Sequence, residues 1–246
     1  EAFVARYDSS RHAAALSRFG VSNHAVMTAV GLAELAVIAQ DRAAADRWGA
    51  LAETYAQDSG TAHDRCNVTL FIGCILPALQ GHHESLPVAA DRLRALARDH
   101  ALPLWHGYAD LFDGIAAMHL APADQAACGA ERARQGIARI RDSAAFLSFC
   151  MIFHADACLA RGRIAEARDS LALAGSALRD DAHWLSAEMR RIDAMIAAAE
   201  GAPPAAVAAA LDAADALAAR QGAPLFRARI AASRGPHAPD TSRTGA

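Results

Sequence analysis

The stretch "ACLARGRIAEARDSLALAG", Ala157 to Gly175, decides the fold. One helix ends at Arg161-Gly162, where glycine can take the left-handed conformation that closes a helix. The next begins at once with Arg163-Ile164-Ala165-Glu166-Ala167. Its apolar positions, Ile164, Ala167, Leu171, Ala174 and Leu178, are spaced 3, 4, 3, 4. That spacing puts them on one face of an amphipathic helix.

The same break recurs along the chain, near Gln40-Asp41, at Gly81, from Leu120 to Pro122, and from Gly201 to Pro204. The breaks at 40, 81, 121, 162 and 201 lie 39 to 41 residues apart. Weaker breaks fall between them, at Asp58 to Gly60, His100 to Pro103, Asp142-Ser143, Arg179 to Asp181 and Gly222 to Pro224. About five helix pairs therefore run from residue 22 to residue 234. Each pair has an apolar face that it cannot bury alone. Stacking the pairs buries a continuous core, so the expected fold is all-α: a right-handed α-solenoid of antiparallel pairs. A four-helix bundle is the rival, and regular spacing over five units argues against it. Residues 1–21 read as a lead-in segment. Residues 235–246, rich in Gly, Pro, Ser and Thr, read as a disordered tail.

Composition agrees. Of 246 residues 54% are apolar and only 6% aromatic, so alanine and leucine carry the core. All 24 basic residues are arginine, the net charge is −3, and no basic block could neutralise a phosphate backbone. Direct contact with nucleic acid is not expected. The five cysteines, Cys66, Cys74, Cys128, Cys150 and Cys158, form no CxxC and read as reduced buried thiols of a cytoplasmic protein. No long uncharged apolar span or secretory signal is visible, so no membrane partner is expected. The chain opens on Glu1, and the reading is of a processed form or, preferred, of a segment cut from a longer protein.

At "LARGRIAEARDSLALA" the pattern resembles tetratricopeptide-like repeats: a small residue, Gly at the turn, then Glu-Ala opening the second helix. The period of about forty exceeds the usual 34 or so. It is similar to the longer repeats in the sensor regions of bacterial signalling ATPases. "ALARDHALPLWHGYADLFDGIAAM" (95–118) and "DDAHWLSAEMRRIDAMIAAAEG" (180–201) carry the same likeness. The chain has Asp193-Ala194 where those repeats commonly carry Lys-Gly. The group has C-terminal repeats behind an ATPase core, with an N-terminal winged-helix DNA-binding domain or class III adenylate cyclase. "SRFGVSNHAVMTAVGLAELAVIAQ" (17–40) leans toward the winged-helix members. The resemblance implies a non-catalytic module for signal transduction and transcriptional regulation. It would bind a protein partner or small-molecule effector on its groove, and the attached ATPase would lie N-terminal. The chain has no lysine, hence no phosphate loop of the GxxxxGK[ST] type. No cofactor is implied. Two alternatives stand beside this: a helical assembly scaffold without ligand, and a hydrolase-like enzyme fragment.

Several residues invite a chemical reading. His154, Asp156 and Cys158 fall within five positions. On a helix His154 and Cys158 share a face, while Asp156 points about 200° from His154, so the three cannot converge. Cys158 reads as a core thiol and His154 as a groove residue. "GHHES" (81–85) reads as a solvent-exposed turn, since a structural zinc needs about four ligands. "HDRC" (63–66) opens a helix, with Asp64 complementing the macrodipole. Arg132, Arg134, Arg139 and Arg141 read as a solvated face. No catalytic or metal residue is assigned. The groove candidates are Trp105, Tyr108, His154, Trp184, Glu188 and Arg191, with Arg191 suited to an anionic ligand or acidic peptide.

Overall fold

The computed structural model describes residues 6–8, 12, 22–141, 146–177 and 183–235. Most of the lead-in, the break at Asp142-Ser143, that at Arg179 to Asp181 and nearly all of the tail lie outside them. The described elements are all helical. They are α1 (His24–Ile38), α2 (Arg42–Asp58), α3 (Ala62–Leu70), α4 (Leu76–Gln80), α5 (Leu86–Asp99), α6 (Pro103–Leu120), α7 (Ala123–Ile140), α8 (Leu147–Ala160), α9 (Ile164–Ala177), α10 (Ser186–Ala199), α11 (Pro204–Arg220) and α12 (Pro224–Ser233). A π turn, Phe71–Ile75, joins α3 to α4 in one rod. Pro77 lies just beyond it. Proline has no N–H to offer the carbonyl of Gly73, and widening the helix there relieves the clash.

Local chemistry sets the ends. Asn23, Asp41 and Thr61 cap α1, α2 and α3 by accepting from backbone N–H groups of the first turn. Pro103, Pro204 and Pro224 open α6, α11 and α12, where a missing N–H costs nothing. Six ends close the same way. The N–H of Asp41, His82, Leu102, Arg163, Ala202 and Ala223 each bonds the carbonyl five residues earlier, at 2.8–2.9 Å. The residue before each has a positive φ: Gln40, Gly81, Ala101, Gly162, Gly201 and Gly222. Gln40 and Ala101 hold that conformation without glycine.

Neighbouring helices pack in pairs: α1 with α2, α3–α4 with α5, α6 with α7, α8 with α9, and α10 with α11. The first helix of a pair is more deeply buried than the second. In α8, nine of fourteen residues are buried; in α11 four of seventeen are. The deep helices also touch one another in order: α1 to α3, α3 to α6, α6 to α8, α8 to α10 and α10 to α12. Helix α12 then packs back against α1, so these helices form a closed circuit. A simple stack of pairs, in which each unit meets only its neighbours, would lack that last contact.

The closest joint is α6 with α7. Gly107 and Gly114 lie seven residues apart on α6, and Gly129 and Gly136 seven apart on α7. A Cβ on Gly114 would fall 2.5 Å from the carbonyl oxygen of Gly129. One on Gly136 would fall 2.5 Å from that of Gly107. Backbone rests on backbone at both places, which no larger residue permits.

Candidate functional site

Charged side chains from three deep helices meet inside the circuit. Asp156 comes from α8, Glu188 and Arg191 from α10, and Arg229 and Ser233 from α12. Arg191 Nε donates to both Glu188 oxygens at 3.0 Å. Its Nη2 reaches Asp156 Oδ1 at 2.5 Å, and its Nη1 donates to Ser233 Oγ at 3.0 Å. Arg229 supplies the second cation. It donates to Glu188 Oε1 at 3.0 Å, to Asp156 Oδ2 at 3.1 Å, and to the carbonyl of Leu79 at 3.1 Å. Two arginines and two carboxylates balance, which is the condition for keeping such groups away from water. Glu188 is only 2% exposed and Arg191 7%. Burial pushes the Asp156 carboxyl up, but Arg191 and Arg229 outweigh it and hold it below the usual range. Burial likewise opposes the charge on Arg191, and Glu188 and Asp156 more than restore it.

Two histidines lie beside this cluster. The rings of His83 and His119 stack with centroids 3.7 Å apart and planes 5° from parallel. Burial, then the neighbouring His83, pushes His119 down to about 4; Arg229 and Arg161 act the same way and Asp156 opposes. His83 is also lowered, first by burial, and its Nδ1 is buried without a hydrogen-bond partner. The turn "GHHES" is thus solvent-exposed at His82 and Glu84 but half-buried at His83, a correction that follows from the stack.

Of the groove candidates, Glu188 and Arg191 come together. His154 lies elsewhere, 3% exposed, with its Nδ1 2.8 Å from Ser170 Oγ and its Nε2 3.6 Å from Cys158 Sγ. Burial pushes His154 down to about 4 and the Cys158 thiol up to about 12. Both are neutral near pH 7, so this pair holds no thiolate. Asp156 does face away from them. Trp105 and Tyr108 are buried in the core of α6, with Trp105 edge-on to His63 at 5.1 Å. Neither they, nor His154, nor the mutually paired Glu188 and Arg191 present a surface to a groove ligand in this conformation. Trp184 is half-buried, 6.0 Å from Phe149 and 6.4 Å from Phe226 between ring centroids.

The other sequence candidates have structural partners. Asp64 is buried and does more than face a helix dipole. It accepts from the Asn23 N–H at 2.9 Å and from the Thr61 hydroxyl at 2.8 Å, tying the caps of α1 and α3 together. Arg132 pairs with Asp113 at 2.6 Å, Arg134 with Glu131 at 2.7 Å, and Arg139 with Asp110, all on an exposed face. Asp110 and Arg139 line a surface cavity of about 710 Å³ with Arg94 and His106. Arg94 is itself paired with Asp91, Asp110 and Asp113. Four cysteines are buried, whereas Cys128 is exposed because it sits on the outer side of α7. Among the described residues, no group of three or more His, Cys, Asp or Glu is placed to hold a metal ion, and no helix is long and apolar enough to cross a membrane.

Sequence reasoning missed Arg229, His83 and His119 as members of this centre, and set Asp156 aside. The available signal was position: Asp156 and Arg191 interrupt the buried faces of α8 and α10, where an uncompensated charge would be costly. No family model, curated protein or solved structure matches this chain.

Proposed function

We propose that this chain is a non-catalytic binding module, a right-handed α-solenoid of about five tetratricopeptide-like pairs with a period near forty. In this reading it is the cytoplasmic C-terminal part of an ATPase-linked transcriptional regulator, and the ATPase precedes it. The observation that carries the reading is the repeated turn. The same five-residue closing bond recurs after Gln40, Gly81, Gly162 and Gly201, at or near multiples of forty residues, and again after Ala101 and Gly222 between them, while the break near Ala121 closes with a four-residue bond. The half-buried aromatic row Phe149, His183 and Trp184 supports a partner-binding role. Tryptophan at a partly open position gives an apolar anchor of the kind that dominates binding hot spots. Arg191 is engaged by Glu188 and Asp156, so an acidic ligand would have to displace them.

The test has two arms. The purified chain is incubated with Mg-ATP and phosphate release is followed; turnover above a blank overturns the non-catalytic reading. The segment encoded upstream of Glu1 is then expressed separately and titrated against the chain by calorimetry. Saturable binding that weakens at least tenfold with Trp184→Ala is expected. No binding by the unsubstituted chain counts against the module.

A further inference from the structure

Among the described residues, the arginines withdrawn from full exposure have partners, with one exception. Arg94 is shared by three aspartates, Arg163 holds Glu166, and Arg168 holds Asp193 and Glu200. Arg191 and Arg229 share Asp156 and Glu188, and Arg161 holds the carbonyls of Met118 and Ala121. Arg65 of α3 is half-buried and pairs with no carboxylate among the described residues. Its Nη2 donates to His100 Nε2 at 3.1 Å, and its Nε is buried with no hydrogen-bond partner there. A guanidinium offers its N–H groups as a fixed fork that matches a carboxylate. Leaving that fork with one neutral acceptor, away from bulk water, is costly unless something else completes it.

Arg65 lines a cavity of about 350 Å³. Helix α3 packs against α2 on one side and α5 on the other, and the cavity lies among the three. Ala56 and Val68, both buried, and the half-buried Leu96 make part of its wall apolar. Glu53 and Asp99 bring carboxylates to the same space. Each meets an arginine of its own in open solvent, Glu53 with Arg92 at 3.5 Å and Asp99 with Arg98 at 3.1 Å. Exposed pairs of this kind hold weakly and give way to a competing ammonium. Helix α2 ends at Asp58 and α5 at Asp99, so their last carbonyls add negative partial charge at this end. The cavity thus has an unfilled anion receptor at Arg65 and a negative rim at Glu53 and Asp99.

We propose that this cavity binds a free aliphatic α-amino acid as its zwitterion. The carboxylate completes the fork of Arg65 and supplies the acceptor that Nε lacks. The ammonium turns to Glu53 and Asp99, and the side chain rests on Ala56, Val68 and Leu96. Arg65 and Arg92 balance Glu53 and Asp99 in the lining, so a ligand without net charge leaves that balance intact. A bare carboxylate would meet Glu53 and Asp99 with nothing to offer them, and a bare amine would meet Arg65. The volume lies at the lower end of small-ligand sites, which suits one residue and not a peptide. None of these side chains belongs to the aromatic row of the binding-module reading, so either can fail without the other.

Calorimetric titration of the whole chain at pH 7.5 with L-leucine, isovalerate and isopentylamine tests this. L-Leucine is expected to bind saturably, and the two analogues, each lacking one charge, at least roughly tenfold more weakly. Arg65→Met should weaken leucine by a similar factor of about ten or more. Three results overturn the proposal: no saturation by leucine or by L-valine, an analogue that binds as tightly as leucine, or unchanged affinity in Arg65→Met. Should that variant fail to fold by circular dichroism, the Nε–H resonance of Arg65 in the unaltered, nitrogen-15-labelled chain decides. A shift that saturates with leucine supports the site, and a resonance that leucine does not move overturns it.

Discussion

The joint between α6 and α7 and the joint between α12 and α1 solve one problem in opposite ways. Both must hold helices together in a chain poor in aromatic residues. At the first, four glycines let backbone lie on backbone, and the contact has no space to give. At the second, Arg229 of α12 reaches across to the carbonyl of Leu79 while sharing Asp156 and Glu188 with Arg191. Close packing makes a joint stiff because every displaced atom loses contacts. A shared ion cluster makes a joint specific but leaves it open to competition from another charge. The same molecule thus has one side held by close packing and one held by charge.

The largest effect should come from the stiff joint. Gly136→Ala places a methyl 2.5 Å from the Gly107 carbonyl oxygen and 2.6 Å from the Leu111 nitrogen. Neither can yield, and a loss of about 3 kcal/mol in urea unfolding is expected. A loss under about 1 kcal/mol would show that α6 and α7 can part and would break the contrast. Arg229→Met comes next. It leaves the Leu79 carbonyl without this donor and gives the cluster a negative excess, at a cost of about 2 kcal/mol. The loss should be accompanied by faster amide exchange in α12 than in α6; uniform acceleration would make the two joints equivalent.

Acid supplies the third test. His119 has a folded-state affinity near 4, below its unfolded value of about 6.5. For a histidine lowered by folding, stability is complete above the unfolded value and declines as pH falls toward the folded one. The thermal midpoint should therefore drop between about pH 6.5 and 4, and His119→Gln should flatten that part of the curve. The smallest effect is expected at Ala101, which is exposed and has a φ of 53°. Ala101→Gly relieves the left-handed strain and should stabilise by about 0.5 kcal/mol despite the entropy of glycine. Destabilisation would show that the turn after α5 tolerates the side chain without cost.

The helix ends were legible because their causes are local. A glycine or an Xaa-Pro pair acts within one turn, so Gly81, Gly162 and Gly201 mark their breaks in the sequence. The glycines of α6 and α7 stand a heptad apart on both helices in the sequence, but composition points only to alanine and leucine as carrying the core. The charged centre was not legible in the same way. Angles along α8 separate Asp156 from His154 correctly, yet they cannot say what stands opposite Asp156. Its partners lie 35 and 73 positions away, and only the return of α12 brings the second one in. His83 and His119 likewise meet through tertiary placement, which periodicity does not encode.

The π turn before Pro77 sets the reading frame of everything that follows it on that rod. An extra residue is accommodated there, so α4 starts one position out of step with α3. Deleting a single residue from Phe71–Ile75 would remove that extra room and set Pro77 against the carbonyl of the preceding turn. It would also swing the carbonyl of Leu79 by roughly 100° and carry His83 with it. The chain would keep its helices and lose the address to which Arg229 is delivered. A one-residue change in length thus decides whether the two ends of the circuit are joined through Arg229.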